Sequence, residues 1–192
     1  MTPRRARDIA FLTRLTLLRI VLILPVMALV LLGPRWSAGF AWAALLFALA
    51  ALTDLFDGFL ARRWRVTTAL GAFLDTTADK LLVAAVLVAL VAVDRASPWV
   101  AVIIIARELA VLGLRGVAAT ENTQIDPSIW GKLKANVQFA AIVLALLRPD
   151  VELGPLLFDE WLMWLAGLVT ILSAWEYFSR FAWVLTGSRP GR

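Results

Sequence analysis

The 192-residue chain contains no cysteine and no histidine. Without cysteine there are no disulfides, thiolate metal centres or cysteine nucleophiles. Without histidine there is no Ser-His triad, no His-ligated zinc and no histidine nucleophile. Chemistry must rest on Asp, Glu, Lys, Arg, Ser, Thr or the single tyrosine, Tyr177. Charge is scarce as well. Only 17% of residues are charged, 61% are hydrophobic, and the mean hydropathy is +0.84. A soluble domain is about a quarter charged. The balance excludes disorder, argues against a soluble domain, and favours one compact bundle in a membrane. The net charge of +5 calls for an anionic partner. Because the positive charge is scattered over loops, that partner is read as anionic lipid on the inside face of a membrane, not nucleic acid.

A bilayer core takes about 20 mostly apolar residues per helix. The sequence offers six such segments, at 11–32, 40–60 with an extension to 64, 71–93, 99–119, 130–147 and 158–185. No segment alternates with the two-residue period of a barrel strand. The expected fold is therefore an all-α integral membrane protein with about six transmembrane helices. Trp36, Trp64, Trp99, Trp130 and Trp161 fall near span ends, where an amphipathic ring is at home. Pro34, Pro98, Pro127, Pro149 and Pro155 punctuate loops, and Pro25 lies inside the first span as a candidate kink.

Basic residues alternate with the loops. Arg4, Arg5 and Arg7, then Arg62, Arg63 and Arg65, then Lys132 and Lys134, and finally Arg189 and Arg192 mark one side. The loops near Ser37, Ala96 and Glu152 carry few cations. The expected topology places both termini in the cytoplasm of a plasma or bacterial inner membrane. The first span lacks a small-residue cleavage site and is read as a retained helix. A single domain is expected over 1–192, with residues 1–10 as an interfacial segment on the membrane surface.

Each charged residue within a span costs about 2.5–3.5 kcal/mol on insertion scales. The chain nevertheless sets four aspartates around the short loop between segments two and three, in TDLFDGFLARRWRVTTALGAFLDTTADK. Steps of three or four residues share a helix face. Asp54, Asp57, Gly58 and Ala61 therefore fall on one face of segment two, and Gly71, Asp75 and Asp79 on one face of segment three. The short loop makes these helices antiparallel neighbours. Four anions so close call for neutralisation. Two hard divalent cations would supply it, and oxygen-only ligands favour Mg²⁺ or Mn²⁺ over zinc.

Asp54-x-x-Asp57-Gly58-x-x-Ala61-Arg62, eight residues, then Gly71-x-x-x-Asp75-x-x-x-Asp79 resembles the motif of the CDP-alcohol phosphatidyltransferase family. The six-span plan resembles that family too. The resemblance implies two metal ions held by Asp54, Asp57, Asp75 and Asp79, gripping the pyrophosphate of CDP-diacylglycerol. It implies Asp79 as the base for the attacking hydroxyl, direct attack at phosphorus and release of CMP. Gly58 would let the cytidine lie against the helix, Arg62 would pair with a phosphate, and Thr68 and Gly71 would contact the nucleotide. Relatives often carry Asn-x-x-Thr before segment one. Here the place reads Thr13-Arg14-Leu15-Thr16, so Thr16 fits and Thr13 stands for the Asn. A homodimer is also implied.

In segment four, Arg107 and Arg115 lie eight residues apart, near one face. Glu108 is a candidate partner for one of the basic groups. With Lys132 and Lys134 the arginines form a candidate pocket for a phosphate on the acceptor. The stretches IIIARELAVLGLRG and GKLK are similar to the bacterial phosphatidylglycerophosphate-forming branch of the family. The expected acceptor is therefore sn-glycerol 3-phosphate. Inositol phosphate, or phosphatidylglycerol in a cardiolipin-forming enzyme, would also suit a basic pocket. A cation channel or transporter is the reading from another class. It predicts polar residues across the bilayer, whereas the far halves of the spans are nearly all Ala, Leu, Val and Ile.

Overall fold

Apolar runs can satisfy their backbone groups within a bilayer only as helices or closed barrels. The computed structural model describes residues 3–64, 69–120 and 129–186. Among these it forms six helices: α1 (Pro3–Leu32), α2 (Ala38–Trp64), α3 (Ala69–Ala92), α4 (Pro98–Thr120), α5 (Ile129–Leu147) and α6 (Phe158–Thr186). Thr68 lies outside the described residues. So do the side chains of Asp57, Gly58, Ala61, Arg62 and Lys132, whose backbones are helical.

The first helix starts earlier than the apolar pattern alone places it. Pro3 occupies its first position, where a missing N–H costs nothing. Arg4, Arg5, Ala6 and Arg7 are all good helix formers. The expected interfacial segment is thus the start of α1, and the helix continues through Pro25.

Among the described residues, three helical stretches are long and apolar enough to cross a membrane: Arg7–Leu32, Ile129–Leu147 and Phe158–Arg180. Ala38–Asp54 is a shorter apolar stretch. Helices α3 and α4 are set apart by charge within their length, from Asp75, Asp79 and Lys80 in one and Arg107, Glu108 and Arg115 in the other. Large apolar side chains face outward, with Val21, Leu24, Val102 and Trp175 exposed by 62–78%. Lipid is the solvent that suits them. The protein is an all-α membrane protein, with six helices among the described residues.

Met1–Arg95 and Ala96–Arg192 form two compact units. In the first, α1 packs against both α2 and α3, which touch each other far less. Ala43, Ala44 and Ala50 of α2 and Ala78 and Ala89 of α3 are buried. Such small residues let backbones approach where van der Waals packing drives association. Gly33 follows α1, and a Cβ there would lie 2.3 Å from the Phe40 ring. The Arg95 guanidinium stands 3.4 Å from the centroid of the same ring, a cation–π contact that closes this end of the unit.

In the second unit α6 packs against both α4 and α5. A two-residue antiparallel hairpin, β1 (Glu152–Leu153) with β2 (Leu156–Leu157), leads into α6. Its turn needs the positive φ of 69° that Gly154 adopts without steric penalty. Trp161 Nε1 donates to the Leu153 carbonyl at 2.8 Å. Glu160 accepts from the Leu157 N–H at 3.1 Å and from Arg148 Nη2 at 2.8 Å. Carboxylates in the first turn also suit the positive end of the helix dipole.

Candidate active site

Two acidic residues of the first unit, Asp54 and Asp75, meet at one arginine of α1. Arg19 is 1% exposed, and its Nη1 donates to Asp54 Oδ1 at 2.7 Å and to Asp75 Oδ1 at 3.0 Å. Each carboxylate is about one-third exposed, at 32% and 37%. Asp54 comes from α2 and Asp75 from α3, so the two acidic helices meet through α1. The sequence spacing implied direct pairing of α2 and α3. The structure keeps a light contact between them and makes α1 the main bridge, because α1 is the helix on which both others pack.

Asp79 lies one turn beyond Asp75 on α3, and Lys80 Nζ donates to its Oδ2 at 2.7 Å. Asp57 lies one turn beyond Asp54 in α2. Gly71 is half-buried in the first turns of α3. Thr16 is buried one turn before Arg19 and donates its hydroxyl proton to the Leu12 carbonyl at 3.2 Å. Thr13 does the same to the Ile9 carbonyl at 3.0 Å. Both hydroxyls are thereby left as acceptors toward any ligand.

The donor chemistry fits a hard cation. Oxygens from two helices lie within 3.0 Å of one positively charged nitrogen. Oxygen-only donors suit Mg²⁺ or Mn²⁺. Among the described residues no set of three metal-ligating side chains is assembled, and the Asp57 carboxylate lies outside them.

The second unit holds a buried basic cluster. Arg107 Nη2 donates to Ser173 Oγ at 2.8 Å and its Nη1 to Glu108 Oε1 at 3.3 Å. Lys134 Nζ donates to the same Glu108 oxygen. Arg115 Nη2 donates to the Tyr177 hydroxyl at 2.7 Å. The Arg107 and Arg115 guanidinium carbons stand 5.3 Å and 5.5 Å from the Tyr177 ring centroid. Glu108, Lys134 and Tyr177 are all buried. Two cations, Arg107 and Lys134, thus share one carboxylate oxygen of Glu108, and Arg115 stands beside them through Tyr177. Gln138, one turn beyond Lys134 on α5, is also buried. Its Nε2 and the Nε atoms of Arg107 and Arg115 have no hydrogen-bond partner among the described residues. Of the four basic residues the sequence singled out, Arg107, Arg115 and Lys134 come together here.

Sequence reasoning missed Arg19, Ser173 and Gln138, and gave Tyr177 no place. The signal for Arg19 was present, since an arginine inside an apolar span needs an anionic partner. Ser173 and Tyr177 stand four residues apart and so share a face of α6. That face became informative only once α4 was seen to lie against it.

The CDP-alcohol phosphatidyltransferase family model matches residues 13–172. A Bacillus subtilis (strain 168) protein named CDP-diacylglycerol–glycerol-3-phosphate 3-phosphatidyltransferase is 38% identical over 179 residues, covering 87% of this chain and 92% of its own length. A protein of the same name from Yersinia pestis (strain Pestoides F) is 42% identical over 182 residues, covering 89% and 93%. One from Sodalis glossinidius (strain morsitans) is 46% identical over 147 residues, covering 72% and 77%. The family is one of membrane enzymes and is generally metal-dependent. With a family-model match from the first span into the last and relatives 38–46% identical over most of the chain, the chain belongs to the CDP-alcohol phosphatidyltransferase family.

Proposed function

We propose that the protein transfers the phosphatidyl group of CDP-diacylglycerol to sn-glycerol 3-phosphate, giving phosphatidylglycerophosphate and CMP. The observation that carries this reading is the pairing of Asp54 and Asp75 on one cation in a chain of this family. The names of the relatives supply the two substrates. Asp54, Asp57, Asp75 and Asp79 would hold the metal, read as two Mg²⁺ or Mn²⁺ ions. When bound, such ions neutralise the pyrophosphate and stabilise the leaving phosphate.

The chain's own groups account for the rest. The Asp79 carboxylate takes the proton of the acceptor hydroxyl. The freed oxygen bonds to the phosphorus that carries diacylglycerol, the bond from that phosphorus to the CMP oxygen breaks, and CMP leaves with the electron pair. Arg62 pairs with a CDP phosphate, and Gly58, Thr68 and Gly71 line the nucleotide. Thr13 and Thr16 contact the donor as hydrogen-bond acceptors. Arg107, Arg115, Lys132 and Lys134 take the acceptor phosphate, and the unused donors of Arg107, Arg115 and Gln138 suit an anion. Burial strengthens such charge-assisted bonds. The reading also includes a homodimer in a bacterial inner membrane, with both termini and the reacting groups on the cytoplasmic side.

CMP release by the purified protein tests the acceptor. The rate is compared with sn-glycerol 3-phosphate, inositol phosphate and phosphatidylglycerol, each with CDP-diacylglycerol and Mg²⁺. Turnover with glycerol phosphate alone is expected. Turnover with another acceptor would keep the family chemistry and overturn the assignment of the basic cluster. Folded protein inactive with every acceptor would reopen the ion-transport reading.

A further inference from the structure

A second group of polar and aromatic residues lies in the first unit outside the aspartate cluster. Arg7, Ala10, Phe11 and Arg14 recur at three- and four-residue steps and so form one stripe along α1. With Asp8 and Trp64, at the end of α2, they line an open cleft of about 750 Å³. The Phe11 and Trp64 rings, both on its lining, form a tilted pair with centroids 6.3 Å apart and planes at 58°. Both rings keep substantial exposure, 47% and 36%. Arg7 and Arg14 are exposed, and neither has an ion pair among the described residues.

The position of the cleft defines its surroundings. The apolar stretch of α1 suited to crossing a membrane begins at Arg7. Trp64 closes α2 just after Arg62 and Arg63. Arginine and tryptophan at the end of a span mark the headgroup level of a bilayer. The cleft therefore opens where phosphodiester groups are concentrated and acyl chains begin. Its charge also selects among anions. Among the described lining residues, two guanidinium groups and one carboxylate leave a net single positive charge. That balance matches one phosphodiester, not the multiple charge of a nucleotide pyrophosphate. The guanidinium forks suit phosphate oxygens, and the two rings offer an apolar wall for the glycerol backbone and upper acyl carbons.

We infer that this cleft binds one anionic phospholipid of the surrounding leaflet, its phosphate held between Arg7 and Arg14 and its backbone laid against Phe11 and Trp64. None of the cleft's described lining residues is among those assigned to donor or acceptor, and the inference stands whether or not the acceptor is glycerol phosphate.

The test uses the full-length protein in phosphatidylcholine nanodiscs containing a minor fraction of phosphatidylglycerol. Native mass spectrometry after gentle extraction counts the phosphatidylglycerol retained relative to phosphatidylcholine. Wild type should retain phosphatidylglycerol well above its fraction in the disc. Two basic contacts of ordinary strength predict about a thirtyfold fall in that enrichment for Arg7→Gln/Arg14→Gln, and about fivefold for Arg14→Gln alone. Arg14→Gln alters one exposed side chain and keeps the test open if the double variant fails to fold. The lysine pair Arg7→Lys/Arg14→Lys should recover most of the enrichment. Unchanged enrichment in the glutamine variants would overturn the site. So would equal retention of phosphatidylcholine by wild type. Displacement of the lipid by millimolar inorganic phosphate would overturn the lipid assignment in favour of a free-anion site.

Discussion

Replacing Arg19 by methionine keeps most of the side-chain volume and removes the one charge that Asp54 and Asp75 share. Arg19 is 1% exposed, whereas the two carboxylates are 32% and 37% exposed. Breaking a fully buried ion pair costs about 3–5 kcal/mol. Partial exposure of the carboxylates screens their repulsion, so about 2–3 kcal/mol is expected here. For a chain of this size that lowers the melting temperature by about 4–12 °C. The assay is thermal unfolding of the detergent-purified protein, followed by intrinsic fluorescence, with EDTA and with Mg²⁺. If the aspartates accept a divalent cation, Mg²⁺ supplies the missing positive charge and the deficit of Arg19→Met should shrink markedly. Adding Asp54→Asn and Asp75→Asn should also relieve it, by removing the repulsion itself. An equal deficit with and without Mg²⁺ would refute the claim that these carboxylates take a cation. No deficit in EDTA would refute the claim that Arg19 is their counter-ion.

Other substitutions probe the remaining parts of the account. Asp79→Asn should abolish CMP release while leaving the melting curve near wild type, and retained turnover would remove the proposed base. Arg115→Lys keeps the charge but loses the planar fork on Tyr177. It should raise KM for glycerol phosphate by about tenfold, the effect of 1.4 kcal/mol, with little change in KM for CDP-diacylglycerol; equal effects on both would undo the acceptor assignment. Tyr177→Phe deletes the hydroxyl that accepts from Arg115 and should shift the same constant in the same direction, by about three- to tenfold for a bond worth about 1 kcal/mol. Gly33→Ala drives a Cβ into the Phe40 ring and should cost about 1–3 kcal/mol of stability without changing either KM.

The six helices were legible in the sequence because apolar runs bounded by proline, tryptophan and charge leave few alternatives in a bilayer. Five of them fall within two residues of the expected starts. The start of α1 was not legible, since Arg4, Arg5 and Arg7 serve equally well as surface anchors and as helix formers. The hairpin before α6 was hidden in a loop carrying Gly154 and Pro155, where two-residue strands leave no periodic trace. The aspartate motif stood out because its spacing is local. Its counter-ion did not, because Arg19 lies 35 and 56 residues from the carboxylates it joins. The same holds for the basic cluster, where Ser173 and Tyr177 meet arginines 66 and 62 residues away. Local spacing exposes which residues are chemically unusual, and packing decides which of them meet.

The most direct test identifies the lipid product. Purified protein is incubated with CDP-diacylglycerol, sn-glycerol 3-phosphate and Mg²⁺, and the lipid extract is analysed by mass spectrometry alongside CMP release. Phosphatidylglycerophosphate should form in equal amount to CMP, and EDTA should stop both. CMP without a glycerophosphate-bearing lipid, or no reaction from folded protein, would contradict the account.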